Sequence, residues 1–173
     1  MKISKKYMLE IVVAVILLLT GACMLFLPFM GVTNCKVVLR IMYGIISLVY
    51  LGWFIKRPKD KDFESLFSFF ASFVSLILCI ILKNTPSNLA LILLLYVMML
   101  SLTRLKKADF YHDRRNRIWQ INLITLAVLI LSGLLSSINL YYQSAVQILV
   151  FGYFFFINGI LELVDPLVLF LKD

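Results

Sequence analysis

Charge is scarce in this chain, and histidine is nearly absent. Only 15% of its 173 residues are charged, and one is a histidine. His112 sits in a basic stretch beside Asp113, with no serine or cysteine near it in sequence to complete a nucleophilic set. It reads as a solvated loop residue. The three cysteines, Cys23, Cys35 and Cys79, form no C-x-x-C pair. Neither a zinc nor a thiol-redox site is expected, and free thiols are, with an intermolecular bond through Cys35 as the alternative. G-x-S-x-G, H-E-x-x-H and a glycine-rich phosphate loop are all missing. The chain therefore reads as non-enzymatic, with no catalytic residue, metal or cofactor.

What is abundant is apolar sequence. The apolar fraction is 62% and the mean hydropathy +0.99, against about 45–50% apolar residues in an ordinary soluble domain. A 20.0 kDa chain cannot hide that much apolar surface from water. The apolar residues fall in six long runs. A helix rises about 1.5 Å per residue and the hydrocarbon slab is about 30 Å thick, so about 20 residues cross it. Runs such as "LALILLLYVMML" lack the alternation of a membrane β-strand. The prediction is an all-α membrane protein, residues 1–173 forming a single polytopic domain. Its six spans cover about 9–30, 37–55, 66–82, 88–103, 118–138 and 145–164. The first run is too long for a signal-peptide core and no small-x-small site follows it, so it is expected to be retained.

Basic residues set the expected orientation. Fourteen of the 17 Lys and Arg residues lie in the first tail, the 2–3 connection, the 4–5 connection and the last residues. By the positive-inside rule both termini are cytoplasmic, in a multi-pass protein of the cell membrane. The net charge of +8 is then a topology signal that also favours anionic headgroups at the basic loops. Nucleic acid is not an expected partner. Near the opposite face, Arg40 is expected to snorkel to the headgroups. Tyr141 and Tyr142 are expected to anchor the last turn at the interface.

The chain repeats a hairpin three times. Gly21 precedes Pro28 by seven residues and Cys79 precedes Pro86 by seven; in the third unit Gly133 precedes Leu140. Gly44 and Gly52 in the second span echo Gly152 and Gly159 in the sixth. Ser65, Ser68, Ser72, Ser75 and Cys79 recur every three or four residues, a stripe of small side chains on one helix face. In lipid, close helix packing depends on such residues. Ser87 or Asn88 is expected to cap the fourth helix. With its small residue, its proline near the turn, and segments such as "LALILLLYVMML" and "LVFGYFFFINGILEL", this hairpin unit resembles the short-repeat membrane family that includes the acid-resistance protein HdeD. The resemblance spans about Leu9 to Val164, departs where Leu140 replaces the third proline, and implies a role in acid or envelope stress with no defined reaction.

Ionisable residues inside a bilayer are functional candidates by default. Asn158, Glu162 and Asp165 share one face near the inner end of the sixth span. Gln120, Asn122 and Glu10 lie at similar depth, giving a candidate polar pocket of six residues. The competing expectation is that the carboxylates simply pair at the interface with Arg115, Arg117 or Lys6. The midplane reads as apolar, which counts against transport. A small oligomeric transporter or channel for protons or small cations remains the alternative function, and a homo-oligomer would suit it. An enzyme acting on lipid headgroups has weaker support.

Overall fold

A computed structural model describes residues 5–56, 63–113, 118–142 and 144–172. The described chain contains six α-helices: α1 (Lys5–Phe26), α2 (Cys35–Lys56), α3 (Phe63–Ile81), α4 (Pro86–Asp113), α5 (Ile118–Asn139) and α6 (Ser144–Lys172). All six are long and apolar enough to cross a bilayer. Their outer surface carries side chains such as Leu19, Leu48, Ile124 and Leu135, each about 60% exposed or more, where a water-soluble protein would place polar groups. This is a multi-pass membrane protein.

Two helices overrun the expected spans. Helix α4 continues ten residues beyond Thr103, carrying Arg104, Lys106 and Lys107 as helical residues. Helix α6 continues through Pro166 to Lys172. At the start of α4 the cap is Thr85, whose Oγ1 accepts the Asn88 backbone N–H at 3.3 Å, and the Asn88 side chain donates to the Lys83 carbonyl. The expected caps are thus displaced, because Pro86 takes the first helical position, where its missing N–H costs nothing. Between α1 and α2 a 3-10 turn at Leu27–Met30 ends on Gly31, whose φ of 81° lies in the left-handed region that favours glycine.

Each helix touches its chain neighbours, α6 closes on α1, and α2 reaches α6 across the middle. The most extensive packing joins α6 to α1, α4 to α5 and α2 to α3. These pairs meet across the basic connections and the two ends of the chain; the expected hairpins α1–α2 and α5–α6 are looser. Glycine explains the tightest pair. A Cβ on Gly21 would run into the Phe156 backbone, 2.7 Å from its Cα, and one on Gly159 would lie 2.7 Å from the Leu18 nitrogen. Gly152 is nearly as close, 3.0 Å from Met24 Cβ. Gly133 likewise lets α5 approach Val97 of α4. The echo in α2 is different, since Gly44 and Gly52 have nothing within 4 Å.

The serine stripe of α3 is buried as expected, with Ser65, Ser68, Ser72, Ser75 and Cys79 all inside. Ser72 and Ser75 bond back to carbonyls of their own helix at 2.8–2.9 Å, which satisfies their hydroxyls inside the bundle. Arg40 finds partners at the end of α3. Its guanidinium donates to the Cys79 and Ile80 carbonyls at 3.1 and 3.3 Å, and Lys36 Nζ donates to the Leu82 carbonyl. Two cations one turn apart on α2 therefore cap α3, where unpaired carbonyls and the helix dipole concentrate negative charge. Cys35 is buried and all three thiols are free.

A buried ion pair and a polar column as the candidate functional site

The interior departs from the expected apolar midplane. Tyr43, Ser47 and Tyr50 share one face of α2, and all three are buried, as is Tyr96 of α4. The Tyr43 and Tyr96 rings meet edge-on at 5.3 Å, and both pack against Phe155 of α6, at 5.5 and 5.9 Å. Phenols read as apolar in a hydropathy profile, but each carries a hydroxyl into the bundle. At 1.5 Å per residue, Tyr43 lies about 12 Å from the start of α2 and Tyr96 about 15 Å from the start of α4, close to mid-bilayer. Tyr50 and Asn158 follow at about 21–22 Å and Arg104 and Glu162 at about 27 Å. These side chains form a polar column running from the centre toward the basic connections.

Its focus is an ion pair. Arg104 Nη2 donates to Glu162 Oε1 at 2.9 Å and reaches Asn158 Oδ1 at 3.5 Å. The Arg104 side chain is 5% exposed and that of Glu162 18%. One step further out, Lys107 bonds Glu64 at 2.8 Å and so ties α4 to α3, and Lys106 sits 4.0 Å over the Phe63 ring.

Of the six expected pocket residues, Asn158 and Glu162 both meet Arg104. Glu10 and Asn122 are buried, and the Asn122 amide donates to the Ile118 carbonyl of its own helix at 3.3 Å. Gln120 is exposed and lies away from the column, because its position on α5 faces outward. The Asp165 side chain falls outside the described residues, as do Arg115, Arg117 and the Lys6 side chain. The partner of Glu162 is instead Arg104, which the sequence places among the basic residues of a connection. The available signal was register: Leu93, Tyr96, Leu100 and Arg104 follow one another at three or four residues, a single helix face. His112 is exposed and meets the Trp119 ring edge-on at 5.2 Å.

Chemically the centre is neutral as a pair and rich in hydrogen-bond donors. A bare metal cation needs several free oxygen ligands, and among the described residues no cluster of His, Cys, Asp and Glu could hold one. Comparison of the chain with protein-family models, with curated proteins and with solved structures returned no match.

Proposed function

We propose that this chain is a non-enzymatic multi-pass protein of the cell membrane, both termini cytoplasmic, that supports survival in acid or under envelope stress. The resemblance of its hairpin pattern to the HdeD family suggests the physiology. The observation that carries the reading is the Arg104–Glu162 pair, buried within the bundle and able to lose its charge balance when Glu162 takes a proton. Burying an unpaired arginine is expensive, so protonation gives α4 and α6 a reason to rearrange. Basic connections at the same end would meet anionic headgroups, and assembly into homo-oligomers is compatible with the wide apolar exterior.

In a deletion strain, the wild-type gene is expected to restore survival at low pH, and Glu162→Gln at equal expression to fail. Full survival with Glu162→Gln would remove the proton-responsive centre from the proposal.

The polar column favours a second reading, passage of protons across the membrane. Its donors suit a proton relay better than a small metal cation. Reconstituted in liposomes, the protein is then expected to speed the decay of an imposed pH gradient relative to empty vesicles; equal decay rates would discard this reading.

A further inference from the structure

We infer that the polar column around Arg104 and Glu162 is a water-binding site, in which ordered water joins Tyr50, Tyr96 and Asn158 to the ion pair. Four buried polar groups along the column, from Tyr96 to Arg104, have no hydrogen-bond partner among the described residues: Arg104 Nε, Asn158 Nδ2 and the hydroxyls of Tyr50 and Tyr96. The residues that carry them are between 0% and 4% exposed. Two of the four, the guanidinium and amide nitrogens, are donors only. A buried donor left unmade costs about 1–3 kcal/mol, and lipid offers nothing to replace the lost bond. Four such groups beside one charge pair call for a species that accepts hydrogen bonds.

Electrostatics selects which species. An anion would be drawn by Arg104 and repelled by Glu162 at the same distance. A metal cation would meet donors on most sides. An apolar molecule would satisfy none of the four groups. Water accepts from Arg104, Asn158 and the phenols and donates to the Glu162 carboxylate, and polar interior sites commonly hold it in this way. Among the described residues the remaining charged groups do not oppose it. Glu64 of α3 is paired with Lys107 of α4, α5 has no ionisable residue, and the buried ionisable side chain of α1 is Glu10. The partly exposed side chains lie toward the basic connections, where Glu162, Lys107 and Glu64 are each 12–20% exposed. Combined with the acid-response reading, on which its physiological meaning rests, this water is the path by which a proton reaches Glu162.

The test is hydroxyl-radical labelling of the wild-type protein in lipid nanodiscs, using a short X-ray pulse and peptide mass spectrometry. Radiolysis makes radicals where water already sits, so a side chain closed to bulk solvent is labelled only if water lies beside it. Tyr50 and Tyr96 are expected to take up oxygen during the pulse. Phe151 and Met24, both 0% exposed and remote from the ion pair, are expected to take up none. Tyr50 and Tyr96 as silent as Phe151 would overturn the water site. Labelling together with full acid survival of Glu162→Gln would keep the water and remove the acid role; silent tyrosines with lost survival would do the reverse.

Discussion

A single methyl group at Gly21 is expected to break the close contact between α1 and α6. In Gly21→Ala the new Cβ meets the backbone of Phe156 and the carbonyl of Gly152, 2.9 Å away. Backbone cannot rotate aside as a side chain can, so α1 and α6 must separate along their whole line of contact. Overpacking typically costs about 1–3 kcal/mol, and here the upper end applies because both partners are main chain. Gly44→Ala is the matched control. It adds the same methyl at a site with nothing within 4 Å, and alanine is the better helix former by about 1 kcal/mol. Thermal unfolding in detergent should therefore move in opposite directions, falling by several degrees for Gly21→Ala and holding or rising for Gly44→Ala. Equal midpoints would show that the α1–α6 approach is not what holds the bundle closed.

The second large effect concerns Arg104. Arg104→Met keeps the volume and removes the charge, leaving the Glu162 carboxylate inside the bundle without its cation. Removing one member of a buried pair costs about 3–5 kcal/mol, whereas replacing both with apolar residues is often neutral. The single variant is expected to unfold roughly 10 °C earlier, at the usual few degrees per kcal/mol for chains of this size. Arg104→Met/Glu162→Met is expected to recover most of that loss, and the difference is the coupling between the two sites. A solvated surface pair would contribute only about 0–1 kcal/mol. A single variant that unfolds within a degree of wild type would place Arg104 and Glu162 in that weaker class and strip the candidate site of its focus.

The six helices were legible because length and hydropathy alone decide them in lipid. The buried stripe on α3 was legible too, since a run of serines at three- and four-residue steps has few other uses inside a membrane. Glu162 and Asn158 stood out as polar residues within an apolar run. Arg104 did not, because it heads a cluster of charges that a hydropathy reading assigns wholesale to a loop. Its role depends on α4 staying helical past the expected boundary at Thr103, which apolar content does not report. The tyrosines were hidden for a related reason: a scale that scores the ring as apolar discards the hydroxyl. Glycine pairs in α2 and α6 look alike in sequence. Only the position of α1, which packs against one and not the other, separates them. The tightest pairs were not legible in the hairpin pattern, because sequence neighbours joined by short turns need not be the helices with complementary faces.

The seal between α1 and α6 also has a consequence for biogenesis. Gly21 and Gly152 are separated by more than a hundred residues of nascent chain. At the usual pace of translation, on the order of 10 s passes between their synthesis. During that interval the groove on α1 faces lipid, with its glycine backbone uncovered and every intermediate lacking its closing member. The α1 groove is thus covered only once α6 has been made, and a chain stalled before α6 leaves it open to lipid.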